Sequence, residues 1–129
     1  RREREDFEAR LREGIGFFVD TVMIREAGSL RAALEQVPGL GVENMPGSDD
    51  AARFALYGRG RNFSIGTCSV QLLVDGLPAT LEELHSIAVE QFAVVEVYRN
   101  VSFAPDRFAQ FAENDCALAA FWTQYGLRP

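Results

Sequence analysis

Two cysteines, a single histidine and a glycine-arginine loop are the residues of this chain whose types invite chemistry. Cys68 heads the run Cys68-Ser69-Val70-Gln71-Leu72-Leu73-Val74-Asp75-Gly76, and Cys116 heads Cys116-Ala117-Leu118-Ala119-Ala120-Phe121-Trp122-Thr123. Each run is too short for anything but a strand, and the first stops at Asp-Gly, a strong turn signal. Two neighbouring strands that both begin with cysteine are placed to be joined there by a disulfide, Cys68 to Cys116. The other reading is a pair of inert buried thiols, since buried free cysteine is ordinary. A disulfide would imply an oxidising compartment, periplasm or cell surface. Zinc has little support, because neither cysteine has a second ligand at metal spacing, so neither a metal nor another cofactor is expected.

Catalytic arrangements are sparse. His85 sits on a predicted helix beside Leu84, and Ser86, although adjacent in sequence, points elsewhere on a helix; a surface histidine is the expectation. No Gly-x-Ser-x-Gly elbow occurs. Gly58-Arg59-Gly60-Arg61-Asn62-Phe63 imitates the start of a dinucleotide loop, yet the third glycine is missing and no helical pattern follows, so it reads as a turn or loop. Asp49 and Asp50 lie in a polar loop and Glu82, Glu83 and Glu90 edge a helix, positions that suit solvation and capping rather than general acid–base work. No calcium loop has the required ligand spacing. The chain is expected not to be an enzyme.

The elements that would position these residues alternate between strand and helix. Residues 3–13 carry Phe7 and Leu11 on one face amid charge, which predicts a solvated helix that packs lightly or links to something upstream. Gly16-Phe17-Phe18-Val19 reads as a strand; Asp20 or Thr21 caps a helical turn ended by Gly28, and Ser29 caps a helix that buries Leu30, Ala33, Leu34 and Val37 before Pro38-Gly39. Leu40–Met45 and Arg53–Tyr57 form a predicted hairpin around the polar loop 46–50. Thr80 with Glu83 forms a capping box for a helix through Ile87, with Leu81, Leu84 and Ala88 inward. Val94-Val95-Glu96-Val97-Tyr98-Arg99 is a strand with Val94, Glu96 and Tyr98 on one face and Val95, Val97 and Arg99 on the other. Pro105-Asp106-Arg107-Phe108 suggests a helical turn with Phe108 and Phe111 inward. The sum is an α+β domain: a small mixed β-sheet of four to six strands with flanking short helices. It divides into a helical arm or linker, 1–14, and one domain, 15–129.

The order strand, Asp-Gly, helix, Val-Glu-Val-Tyr-Arg, proline-led turn, cysteine, Trp-Thr resembles the plug domain of TonB-dependent outer-membrane receptors. It is most similar to divergent plug-like domains that follow a carboxypeptidase-like regulatory domain. Leu30 through Val42, with Val37-Pro38-Gly39, looks like the plug's entry from helix to strand, and Tyr57-Gly58-Arg59-Gly60 looks like its Arg-Gly segment. The likeness spans roughly residues 15 to 125 and supplies the expected strand order. It implies a domain that closes a β-barrel, binds substrate on its loops and opens when the energy-coupling protein TonB pulls on a preceding segment. The family's glycine after the Tyr-Arg pair is Asn100 here, and the one after the second cysteine is Ala117, so gating and transport do not carry over directly.

Composition narrows the partners. At 129 residues the chain is one domain able to bury a single core. Its net charge is −6 and all 13 basic residues are arginine, which argues against a nucleic-acid partner. No apolar run approaches a membrane span, and the charged residues 1–14 do not read as a signal peptide. The expectation is a non-enzymatic periplasmic plug-like module, associated with a membrane, that binds a membrane protein complex as an accessory or structural subunit. The alternative is the excised plug of a TonB-dependent receptor for siderophore, vitamin or glycan uptake, whose partner is an outer-membrane β-barrel. The loops 46–52, 58–66 and 99–106 are expected to meet the partner, with Arg59, Arg61, Asn62, Phe63, Asn100 and Phe103 as contact residues. Core packing absorbs most of the aromatic residues and leaves some for that surface.

Overall fold

The strands Phe92–Tyr98 and Leu118–Thr123 carry apolar residues on both faces, and a strand of that kind belongs between two covering layers. The computed structural model, which describes residues 2–59, 67–113 and 116–128, has this three-layer form. Its elements in chain order are α1 Arg2–Glu13, β1 Phe17–Asp20, α2 Thr21–Ala27, α3 Leu30–Leu34, β2 Leu40–Asn44, β3 Phe54–Arg59, β4 Thr67–Ser69, β5 Gln71–Val74, β6 Leu77–Pro78, α4 Leu81–His85, β7 Phe92–Tyr98, α5 Asp106–Ala109 and β8 Leu118–Thr123. A mixed five-stranded sheet has the order β1-β7-β8-β5-β6, in which only β5 and β8 run parallel. Strands β2-β3-β4 form a separate antiparallel sheet.

One face of the large sheet, with Val19, Leu72, Val95, Val97, Ala119 and Phe121, packs against α2, α3, α4 and the Phe54 and Leu56 side chains of the small sheet. The opposite face, with Leu73, Val94, Tyr98, Leu118, Ala120 and Trp122, is covered by Phe7 of α1, Phe108 of α5 and Leu127. The period of two in β7 and β8 thus assigns alternate residues to two cores. α5 is buried through Phe108, while Phe111 is only partly covered.

The predicted caps are present. Asp20 accepts from Met23 N at 2.9 Å and Ser29 from Ala32 N at 3.0 Å. The Thr80–Glu83 capping box is complete in both directions, at 3.1 and 2.8 Å. At the Asp75-Gly76 turn both residues have positive φ, 51° and 90°. Asp75 accepts from Thr123 N and Oγ1 at 2.8 and 2.7 Å, which ties the turn to the end of the neighbouring β8.

Three expectations change. The run 68–74 is not one strand: Thr67–Ser69 pairs with β3 in the small sheet and Gln71–Val74 with β8 in the large one. The chain passes between sheets at buried Val70, with Val70 N directed at Leu56 O and Gln71 N at Ala117 O. Gly58 and Arg59 are likewise not in a turn but end β3, opposite Cys68 and Thr67. Pairing with β4 extends the strand through them, and glycine is required at 58 because a Cβ there would lie 2.9 Å from both Cys116 Sγ and Ala117 Cβ. α4 also stops at His85, which leaves Ala88 outside the helix and exposed.

Candidate functional site

The disulfide sets the geometry of one end of the molecule. Cys68 and Cys116, 48 positions apart in sequence, are joined, with Cα atoms 5.9 Å apart, and the bond ties the small sheet to the start of β8. Cys116 is almost wholly buried and Cys68 half-buried. The carbonyl of Cys116 accepts from Val101 N at 2.8 Å, so the loop after β7 is pinned to the same point. Asn100 starts a short 3₁₀ turn there and accepts from Ser102 N at 2.9 Å, an Asx cap that requires a short polar side chain.

That turn presents Phe103, which is 55% exposed, near Ile15 of the α1–β1 connection, which is 63% exposed. Both residues line two depressions. One of about 410 Å³ also includes Phe17, Pro38 and Arg99; the other, of about 210 Å³, also includes Glu13, Tyr98 and Pro105. Two large apolar side chains left in solvent beside concave surface, with Arg99 and Glu13 in the same walls, are suited to contact with a protein partner. Of the residues assigned to partner contact from sequence, Asn100 and Phe103 belong to this surface, Asn100 as the cap that shapes the turn and Phe103 as the exposed apolar group. Arg59 closes β3 one register step beyond the Gly58–Cys68 pair. Arg61, Asn62 and Phe63 lie outside the described residues, as does the Arg59 side chain.

A second feature holds α1 in place beside this surface. Glu96, 0% exposed in the middle of β7, accepts two hydrogen bonds from Arg10, from Nε at 2.8 Å and Nη2 at 2.7 Å. It also accepts from Tyr98 Oη at 2.9 Å and Trp122 Nε1 at 2.5 Å. The carboxylate is fully engaged by these donors, an arrangement that fixes structure rather than one poised to move protons. Arg10 and Arg107 both lie over the Phe108 ring, 4.8 and 5.3 Å from its centroid, and Arg107 forms a bidentate pair with Glu3 at 2.6 and 2.9 Å. α1 is therefore docked on the sheet rather than lightly packed. Reading α1 alone by its charge overlooks this pairing. The signal was in β7, where one carboxylate interrupts an apolar face and so requires a buried donor.

The electrostatic consequences follow from this burial. Desolvation opposes the charge on Arg10, but the Glu96 hydrogen bonds and carboxylate charge outweigh it and raise its pKa. The Arg107 hydrogen bond holds the Glu3 carboxyl below its ordinary range against partial burial. Burial, then the adjacent Glu96 charge and hydrogen bond, push the Tyr98 phenol upward. An unfolded tyrosine releases its proton near pH 10, where folded Tyr98 keeps it, so the unfolded chain binds fewer protons and stability falls as pH rises above about 10. Melting temperatures from pH 8 to 11 should therefore decline more steeply in the native chain than in Tyr98→Phe. Parallel slopes would contradict this.

His85 is half-buried, not a free surface group: its Nε2 lies 2.7 Å from Phe54 O and its ring meets Phe54 edge-on at 4.8 Å. Among the described residues no group of three or more His, Cys, Asp or Glu side chains is placed to hold a metal. No helix among them is long and apolar enough to cross a membrane.

No family model matches this chain, and no curated protein matches it. Among solved structures it is similar to a chain in the structure of the RagAB peptide importer in the "open-open" state, with a TM-score of 0.61 and 20% identity. The match covers 84% of this chain and 12% of that one, so this chain spans only a small part of the importer chain's length. At that identity the likeness is one of fold, and the mixed α+β architecture with two sheets and short helices is consistent with a small plug-like domain.

Proposed function

We propose that the chain is a non-enzymatic, periplasmic plug-like module that binds a membrane protein complex as an accessory or structural subunit. The observation that carries this reading is the fold likeness to an importer chain over 84% of the residues. The exposed Ile15–Phe103 surface supports it, because a disulfide-anchored turn holds an apolar group out in solvent, as a binding surface requires. The disulfide supports the location, since such bonds persist in oxidising compartments.

The test is affinity purification of the tagged chain from detergent-solubilised native membranes, with Phe103→Asp in parallel. The expected result is a stoichiometric integral-membrane complex retained by the native chain and reduced on the order of tenfold by Phe103→Asp. An exposed position tolerates this change, so loss of the complex cannot be put down to unfolding once the melting temperature is shown to be unchanged. Absence of any membrane complex, or equal retention by both forms, would overturn the reading.

A second reading is favoured by the 12% share of the importer chain that the match covers. In it, the chain is the plug of a TonB-dependent outer-membrane receptor for siderophore, vitamin or glycan uptake. Peptides from the same purification that continue past Pro129 into a barrel would decide for it.

A further inference from the structure

A separate groove of about 490 Å³ opens between the start of α3, the chain entering β3, α4 and the turn before β7, and it shares no lining residue with the Ile15–Phe103 surface. Its accessible walls are apolar, built by Leu30, Ile87 and Val89, with the buried Phe54, Leu84 and Phe92 beneath them. This size and lining are those of a small-molecule site. Although the chain carries 19 acidic residues, none is among the groove's described lining residues, of which Arg31 is the one permanently charged group.

Arg31 is fixed on one side and available on the other. Its Nη1 donates to Asn44 Oδ1 at 2.6 Å and Ala51 O at 2.9 Å, and its Nε to the half-exposed Glu35 at 3.3 Å. Among the described residues, Nη2 has no acceptor. Nη1 is held by neutral acceptors, and the Nε pair with Glu35, whose carboxylate is half-exposed, is screened by solvent and leaves Nη2 able to donate to a ligand. His85 adds a second polar group to the lining, its Nε2 2.7 Å from Phe54 O.

We propose that this groove binds a small carboxylic acid with an apolar aromatic or branched body, its carboxylate on Arg31 Nη2 and its body against Leu30, Ile87 and Val89, the large apolar lining residues that keep accessible surface. The apolar walls supply burial, and the lone cation supplies a charge-assisted hydrogen bond that selects the acid over neutral molecules of the same shape. The proposal does not depend on the module reading above.

The test titrates the full chain with 4-phenylbutyrate and, separately, with 4-phenylbutanol, followed by calorimetry and amide chemical shifts. The acid is expected to bind at about millimolar concentration or tighter, and about tenfold more tightly than the alcohol. Arg31→Gln should remove that tenfold preference and leave the alcohol unaffected. Val89→Trp, at a position 44% exposed on the rim, should weaken both. No saturable binding of the acid up to about 10 mM, or equal affinity for acid and alcohol in the native chain, would overturn the proposal. Shifts confined to residues outside the groove would also overturn it.

Discussion

Glu96→Ala is expected to lower the free energy of unfolding by about 3–5 kcal/mol, a large part of the total stability of a domain of this size. The change strands three donors at once. Arg10 keeps its charge in a site where it is 9% exposed, and the Trp122 indole and Tyr98 hydroxyl lose their acceptor among Leu73, Phe108 and Leu118. Leaving buried donors unmade is more damaging than losing the net value of the bonds themselves. The cavity left by the carboxylate adds to the loss.

The same reasoning gives a result that a plain loss of contacts would not. Replacing both charges with apolar residues of similar volume, Arg10→Met with Glu96→Leu, removes the uncompensated charge and should recover much of the stability lost in either single variant. Urea denaturation of the four proteins checks this through midpoints at unchanged slope. If the double variant is as unstable as the sum of the singles, the pair is not a coupled, desolvated unit. The Phe7 side chain, edge-on to Phe18 at 5.8 Å, should then account for the docking of α1 instead.

Removing the disulfide as Cys68→Ala with Cys116→Ala is expected to destabilise the domain by about 4 kcal/mol, the chain-entropy value for a loop of this length. The bond closes 48 positions and joins two sheets whose backbones otherwise meet near Val70. Its loss should also be uneven. The five-stranded sheet retains cores on both faces, while β2, β3 and β4 lose the covalent link between Cys68 and the large sheet, so amide exchange should accelerate first in Leu40–Asn44 and Phe54–Arg59. The turn carrying Phe103 is bonded to Cys116 through Val101 and should loosen with them. A drop in denaturation midpoint with uniform exchange across both sheets would mean that the bond acts only on the unfolded chain.

Local chemistry made much of this architecture legible from residues alone. Asp20, Ser29 and the Thr80–Glu83 pair mark helix starts because a side-chain oxygen satisfies amides that a first turn leaves open. Asp75-Gly76 marks a turn because few other residues accept positive φ at both positions. The hairpin of β2 and β3 and the alternating faces of β7 follow from periodicity, and the two cysteines heading apolar runs indicated where a cross-link could form.

The tertiary structure decided the rest, because each remaining feature depends on neighbours distant in the chain. Thr67–Ser69 and Gln71–Val74 look like one strand by composition; which sheet each half joins depends on β3 and β8, not on the residues between them. Gly58 resembles a loop glycine until Cys116 Sγ is found where its Cβ would be. Sequence places Phe103 on a contact loop, but the Val101–Cys116 bond that anchors its turn, and the exposed Ile15 beside it, are visible only in the fold. α1 reads as a solvated helix since most of its residues are charged, yet Arg10 finds Glu96 86 positions away. Sequence by itself determined the caps, turns and strand periods, which are set within a few residues by backbone sterics and hydrogen bonding. The sheet partners, the buried ion pair and the anchoring of the Phe103 turn belong to the folded chain, since desolvation and close packing act only between groups that folding brings together.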